Sequence, residues 1–372
     1  MMLAIKNILL LLSISLTCTY CYGQENTGRF RINDEKELQL TSTIDFSRYK
    51  GFFVGEFHDM VVCTEIKLAM IKYLNTEYGI KDIFMEIGYS TAWLYNRYLE
   101  IGDTTLFTTP NLVYAMTQPN RDFWKKLYNY NKTAANKIVI HGMDFERGDF
   151  TKALKLLMPL NKEKPIEISK MLKYIDTVTV NDVNDDLRKP DAISNTRYQM
   201  VRRDILRKKK YYRDFYGVNF QVVEKIMTNE NTFNRFPERN KTMYYNMRRE
   251  LEEQKISKFV TFNGLEHGNM SNDGRQSLCY RLTQNKKFKG KIAGVAVVCK
   301  YLYDQQGHVN RLTSRYRAPY TYAADSLLLK RIFDTQFNTG CKYTLIPASS
   351  ANSIAAEAFS NYIILIEDQT QR

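Results

Sequence analysis

Ionisable side chains follow four short apolar runs of the sequence, at the position where each run ends. They include three of the four histidines of the chain. These side chains can accept and donate protons at a carbonyl substrate, or bind a metal ion. The set consists of Glu56, His58, Glu86, His141, Asp144, Glu266 and His267.

The apolar runs alternate with amphipathic stretches, which indicates strands alternating with helices. We predict strands at residues 51–54, 82–86, 137–140, 258–262, 294–299, 343–346 and 362–366. Strand and helix in repeated order predict an α/β fold with a mainly parallel central sheet flanked by helices. Ligands bind beyond the carboxyl ends of such strands, so the seven side chains are expected to converge at one edge.

Each of these side chains also has a purely structural interpretation. Glu56 and His58 could belong to a strand-to-helix turn, although two ionisable groups at the end of an apolar strand are costly unless they are used. Glu86 ends an apolar strand and could form a salt bridge to Arg239 or Lys81. Asp144 could cap a following helix. Arg239 stands at the start of an amphipathic helix, where it can reach a carboxylate or an oxyanion, or pair on the surface.

The composition is that of a globular protein. The chain has 372 residues, of which 44% are hydrophobic and 25% are charged. Residues 161–236 interrupt the strand–helix rhythm and predict a helical insertion or cap between two core segments, 24–160 and 237–372. Residues 197–213 contain eight basic residues and one acid, and so supply half of the formal charge of +14. This stretch is either an anion-binding or membrane-surface patch or a solvated helix face; no nucleic-acid motif accompanies it.

The first 23 residues have the pattern of a signal peptide. Lys6 precedes an apolar run at residues 8–16, too short to span a bilayer comfortably. We predict cleavage after Gly23 and a periplasmic or secreted protein without a lipid anchor and without a transmembrane span. The pairing of the four remaining cysteines stays open. They are Cys63, Cys279, Cys299 and Cys341.

Two Gly-x-x-His motifs, at residues 55–58 and 264–267, stand on either side of Glu86. This pattern resembles the superfamily that joins the erythromycin esterases, the haem-binding ChaN proteins and the TIKI/TraB proteases. The erythromycin-esterase branch is the most similar, because Arg239 is followed four residues later by Met243. Its Gly-x-Asp after the third strand is matched by Gly142 and Asp144.

Two positions depart from the erythromycin-esterase pattern. Gly264 stands where those esterases commonly carry a first histidine, and Asn240 stands where an acid often follows the arginine. The first departure is closer to the TIKI pattern. Both argue against macrolides as the substrate.

The resemblance implies an exported hydrolase that adds water to an ester or amide carbonyl of a small molecule or peptide. His58, helped by Glu56 or Glu86, would deprotonate the water. Arg239 would stabilise the oxyanion, and His267 would protonate the leaving group. The substrate-binding residues would be His141, Asp144 and Glu266.

Two other possibilities remain open on the sequence. In a metal-dependent variant a divalent ion would be bound by His58, Glu86 and His267. In the alternative reading the protein binds haem or iron like ChaN and has no hydrolytic activity. The substrate, the oligomeric state and any lid function of the insertion are not determined by the sequence.

Overall fold

A central sheet of nine strands organises the chain in the computed structural model. The structure describes residues 28–32, 38–56, 61–107, 118–147, 149–177, 194–229, 236–270, 276–299, 302–303, 309–310, 343–347 and 361–366. The strands are β1 (Gly28–Ile32), β2 (Leu38–Ser42), β3 (Gly51–Glu56), β4 (Asp82–Met85), β5 (Val139–Gly142), β6 (Phe259–Gly264), β7 (Ile292–Cys299), β8 (Leu302–Tyr303), β9 (Val309–Asn310), β10 (Tyr343–Pro347) and β11 (Tyr362–Ile366).

The strand order of the large sheet is β2-β1-β10-β11-β7-β3-β6-β4-β5, and β8 pairs only with β9. The pairings from β11 to β5 are all parallel, whereas β2, β1 and β10 form an antiparallel edge. The prediction of a mainly parallel α/β sheet is therefore confirmed, and each predicted strand lies within two residues of its observed bounds. The edge strands β1 and β2 were not predicted.

Helices cover both faces of this sheet. They are α1 (Val61–Tyr78), α2 (Tyr89–Ile101), α3 (Gln118–Thr133), α4 (Asp149–Leu157), α5 (Ile166–Thr177), α6 (Ser194–Arg207), α7 (Lys209–Tyr216), α8 (Phe220–Thr228), α9 (Phe236–Glu253) and α10 (Leu278–Thr283). Helices α5 to α8 lie between β5 and β6, in the stretch predicted to be a helical insertion. Among the described helices, none is long and apolar enough to cross a bilayer.

Alternate residues of the central strands pack against different helices, as the two-residue period of a strand requires. Phe52 and Val54 of β3 share a buried cluster with residues of α1, such as Met70. Phe53 instead packs in a second cluster with Met243 of α9. The sheet therefore separates an α1 layer from an α9 layer, and the position of a residue along a strand decides which layer its side chain faces.

Candidate functional site

Arg239 in the first turn of α9 joins two carboxylates that follow different strands. Its Nη2 donates to Glu86, just past β4, and to Asp144 Oδ2 at 2.6 Å, beyond β5. Its Nε donates to Asp144 Oδ1 at 3.3 Å. Burial alone would lower the pKa of Arg239, but the charges of Asp144 and Glu86 outweigh it and raise the pKa. The guanidinium therefore stays charged and holds both carboxylates in place.

His267 lies against the same glutamate, in the turn Leu265–Gly268 that follows β6. Its Nε2 is 3.4 Å from Glu86 Oε1. Its Nδ1 lies 2.5 Å from Asn240 Oδ1, and both side chains are buried. An amide oxygen only accepts hydrogen bonds, so this contact places a proton on Nδ1 and directs Nε2 towards Glu86.

The parallel register explains why these groups meet. Met85, the last residue of β4, is paired with Phe262 of β6, and β6 ends two residues later, so both strands end at the same edge of the sheet. The backbone N–H of Gly264 donates to Glu86 Oε2 at 2.9 Å, which ties the glutamate to the end of β6. The absence of a side chain at Gly142 lets the end of β5 lie close to the backbone of Gly88, because a Cβ there would lie 2.3 Å from the carbonyl oxygen of Gly88. The chain after β5 can therefore run close enough to place Asp144 beside Glu86.

Asp144 is completely buried, and amide side chains from two helical regions hold its backbone. Asn229, just after α8, donates through Nδ2 to the Asp144 carbonyl at 3.0 Å. Asn246 of α9 approaches the same carbonyl at 3.4 Å. Asn246 lies seven residues after Arg239, on the same face of α9, so one helix contributes both contacts. The sequence analysis identified neither Asn229 nor Asn246.

Glu56 lies on the other side of the sheet from this centre. It forms an ion pair with Lys67 of α1 at 2.9 Å, and the Lys67 ammonium lies over the ring of Phe262. Glu86 instead contacts Arg239 in the α9 layer. The structure therefore does not bring Glu56 together with Glu86, although both follow neighbouring parts of the parallel sheet.

His141 also lies outside the Glu86 centre, in a separate buried network. Its Nε2 is 2.9 Å from Asp82 Oδ1, and its Nδ1 is 3.4 Å from Glu250 Oε2. Lys225 of α8 pairs with Glu250 from the other side. Burial acts to lower the pKa of His141, but the hydrogen bonds and charges of Asp82 and Glu250 outweigh it and raise the pKa. Burial acts to raise the pKa of Glu250, yet its contacts with His141 and Lys225 lower it overall.

The remaining predicted site residues have different outcomes. Glu266 is half-buried in the turn that carries His267. His58 lies outside the described residues, which resume at Val61 after Glu56. Its proposed role as a base or ligand therefore stays a prediction. The signal segment and Cys341 also lie outside the described residues, whereas Cys63 and Cys279 are buried.

Glu146 is a buried carboxyl group beside the site that the sequence analysis missed. It accepts the Tyr89 backbone N–H at 2.7 Å and the Asn229 amide at 2.8 Å, so it caps the first turn of α2. Burial raises the pKa of Glu146 to about 7, against the lowering effect of its hydrogen-bond donors. Its position two residues after Asp144 was the only available sequence signal.

Two of the three predicted metal ligands, Glu86 and His267, lie together at this centre, whereas His58 lies outside the described residues. Glu86 Oε1 and His267 Nε2 are 3.4 Å apart. The Arg239 guanidinium already donates to that same oxygen, so a divalent cation would lie next to a fixed positive charge. Among the described residues no group of three or more His, Cys, Asp or Glu side chains could hold a metal.

Comparison with solved structures decides the fold. An erythromycin esterase in its open conformation matches with a TM-score of 0.56 and 11% identity, over 86% of this chain and 91% of that chain. The chain has the erythromycin-esterase fold. A succinoglycan biosynthesis protein matches the same fold with a TM-score of 0.55 and 14% identity, over 87% of this chain and 88% of that chain.

A Bacillus cereus protein also matches this chain, with a TM-score of 0.53 and 14% identity, over 87% of this chain and 89% of that chain. No protein-family profile and no curated protein matches the sequence. The predicted resemblance is therefore confirmed at the level of the fold. The chemistry of this chain has to be argued from its own residues.

Proposed function

We propose that the protein is a hydrolase that adds water to an ester or amide carbonyl, with His267 as its general acid. The observation that carries this proposal is the placement of the imidazole between Asn240 Oδ1 and Glu86 Oε1. The erythromycin-esterase fold is consistent with it, since one solved relative in that fold is an erythromycin esterase.

The position of Glu86 places a hydrogen-bond acceptor opposite Nε2 of His267. Two lone pairs facing each other repel, so Nε2 is attracted to the carboxylate only when it carries a proton. Glu86 is held as a carboxylate by the Arg239 guanidinium and by the Gly264 backbone N–H. An imidazolium with one N–H bound to an amide and the other directed at a carboxylate is a fixed proton donor.

Arg239 acts in this proposal as a positioning residue. Its Nη2 and Nε donors are directed at Glu86 and Asp144, which differs from the direct oxyanion contact predicted from the sequence. Its charge nevertheless lies beside the centre, where it lowers the energy of an anion that forms there. The side chain is 16% exposed, so this charge is only partly screened by water.

His58 completes the proposal as the base that activates water. The last residue of β3, Glu56, is paired with Gly264 of β6 in the parallel ladder. His58 follows Glu56 by two residues, and His267 follows Gly264 by three. The strands that precede the two histidines therefore end side by side.

The reaction then balances as two proton transfers. His58 takes a proton from water while the water oxygen bonds to the carbonyl carbon, and a tetrahedral oxyanion forms. When the bond to the leaving group breaks, His267 gives its Nε2 proton to the departing alkoxide or amine. The products are a carboxylic acid and an alcohol or amine, and proton exchange with water restores both histidines.

The test compares leaving groups. A 4-nitrophenyl ester leaves without protonation, whereas an alkyl ester or an amide does not. His267→Gln should lower kcat/KM for alkyl esters and amides by about 100-fold or more, and much less for 4-nitrophenyl esters. His141→Gln is the matched control, because His141 is also a buried histidine but contacts Asp82 and Glu250.

Equal losses for both leaving groups would contradict the role of His267 as an acid. An intact wild-type protein that hydrolyses no ester or amide, but gives a Soret band with haemin, would support the haem-binding alternative instead. Activity that survives a chelator would contradict the metal-dependent variant, and activity that disappears would support it.

A further inference from the structure

Three aliphatic side chains protrude from one part of the helical region between β5 and β6. Leu160 is 98% exposed, Val218 is 91% exposed and Ile166 is 84% exposed. Single exposed aliphatic side chains are common on protein surfaces, but nearly complete exposure of three neighbours leaves apolar surface in water. Such a group is expected where another apolar phase covers it.

Hydrogen bonds bring these three side chains to one edge, which consists of residues 160–167 and 207–219. Asn219 donates through Nδ2 to the Leu157 carbonyl at 2.9 Å, and Lys162 donates to the Asp214 carbonyl. Lys208 donates to the Glu167 carbonyl at 2.7 Å. Because Leu160, Ile166 and Val218 lie within or next to the bonded segments, they share this insertion edge.

The insertion edge is strongly basic. It contains seven Lys and Arg residues and three acids. Lys210 and Arg213 of α7 are exposed, whereas Tyr212 and Phe215 of the same helix are buried. The buried aromatic rings fix the helix, so its basic side chains are presented to the solvent beside the aliphatic ones. Lys209 differs, because it pairs with Glu224.

We propose that the insertion edge docks this protein on an anionic membrane surface. Protruding aliphatic side chains enter the headgroup region, and the surrounding Lys and Arg residues attract the phosphates. Leu160 stands on a turn, Ile166 begins α5 and Val218 lies in a short 3-10 helix, and each protrudes into the solvent, so they suit a soft, fluid surface. This docking is independent of the Glu86 centre, and it assigns a role to the basic stretch at residues 197–213 that the hydrolase proposal does not use.

The experiment uses the full chain and vesicles of phosphatidylcholine with or without an equal part of phosphatidylglycerol. An environment-sensitive fluorophore is attached at Leu160→Cys, with Ile101→Cys as the control, because Ile101 is also exposed but lies on α2. The chain without either substitution corrects for labelling of the other cysteines. A signal at residue 160 reports insertion at the edge itself, whatever the N-terminal apolar run contributes to binding.

Fluorescence at residue 160 should increase severalfold and shift to shorter wavelength on phosphatidylglycerol vesicles, with no such change at residue 101. The pair Lys210→Glu and Arg213→Glu should weaken this response by about tenfold or more, since surface charges act strongly at low salt. The matched pair Lys286→Glu and Lys289→Glu, which makes the same charge change at exposed positions elsewhere, should not.

The proposal is overturned if residue 160 gives no response on either vesicle, or if both charge pairs weaken the response equally. A response on phosphatidylcholine alone that ignores the charge pairs would also overturn it, because it would leave the basic residues without a role. Binding of the wild-type edge to an acidic protein, with no response to vesicles, would replace the membrane by a protein partner.

Discussion

Arg239→Met is expected to lower the free energy of unfolding by about 3 kcal/mol. Methionine keeps much of the apolar volume of the side chain but removes the charge and all donors. The carboxylate of Asp144, which is 0% exposed, would lose its two closest hydrogen bonds, at 2.6 and 3.3 Å. Glu86, at 11% exposure, would lose the same cation.

The magnitude follows from how deeply the carboxylates are buried. Breaking a buried ion pair by removing one partner costs about 3–5 kcal/mol, because the remaining charge is no longer compensated. Asp144 retains Arg147, whose Nη2 lies 3.4 Å from Oδ2 and whose side chain is 33% exposed. This weaker contact offsets part of the loss, so the lower end of the range is expected.

Arg248→Met is the matched control on the same helix. Arg248 pairs with Glu252 at 2.7 Å, but both side chains are about half exposed. Water screens such a pair, and its loss should change the stability far less than the loss of Arg239. Urea unfolding, followed by circular dichroism, measures both variants against the unchanged chain.

A second substitution separates charge from packing. Asp144→Asn in the Arg239→Met background removes one of the uncompensated charges, so it should restore part of the lost stability. If Arg239→Met and Arg248→Met have equal effects, or if Asp144→Asn lowers stability further in that background, the Arg239 bridge does not hold the site together as described.

Substitutions of Gly142, His141 and Asn240 test three other contacts. Gly142→Ala should lower the free energy of unfolding by about 3 kcal/mol, because the added Cβ would meet a backbone oxygen at 2.3 Å. Gly268→Ala is the control, because its nearest neighbours lie at 3.6 Å, and it should lower the free energy measured by urea unfolding by less than about 1 kcal/mol. Because the folded protein raises the pKa of His141, protonation of His141 stabilises the fold fully at pH values below the ordinary pKa of 6.5, and the free energy of unfolding should fall as the pH rises from there through the raised pKa. This fall should be absent from His141→Gln, and its persistence in that variant would contradict the role of His141. Asn240→Asp should place a carboxylate beside the imidazole of His267, so that alkyl-ester hydrolysis persists to higher pH in a kcat/KM profile, and an unchanged profile would argue against their contact.

The sequence by itself determined the fold class and the strand ends to within two residues. Apolar runs of strand length and the helical stretches between them depend on local pattern, so the parallel sheet and its seven predicted strands could be recognised. The positions of Glu86, His267 and Asp144 just beyond their strands followed from the same pattern. Parallel strands bring their carboxyl ends to one edge, which explains why Glu86 and Asp144 meet at Arg239 and why His267 lies against Glu86.

The direction of each side chain was decided only by the tertiary structure. Glu56 is the last residue of β3 and Glu86 comes directly after β4, yet Glu56 faces Lys67 of α1 and Glu86 faces Arg239 of α9. A single residue of register turns a strand side chain to the opposite face, and sequence patterns place strand ends less accurately than that. His141 likewise became part of an ion network with Asp82, a residue at the far end of the neighbouring strand.

Contacts between distant segments account for the rest. The sequence marked Asn240 only as an unusual residue, whereas the folded chain makes it the hydrogen-bond acceptor for His267, 27 positions away. Glu146 and Asn229 are separated by 83 residues and meet only because the helical stretch between β5 and β6 returns to the sheet edge. The sequence therefore determined which chemical groups are available at this edge. Only packing across long separations decided which of them touch, because such contacts leave no periodic pattern in a single chain.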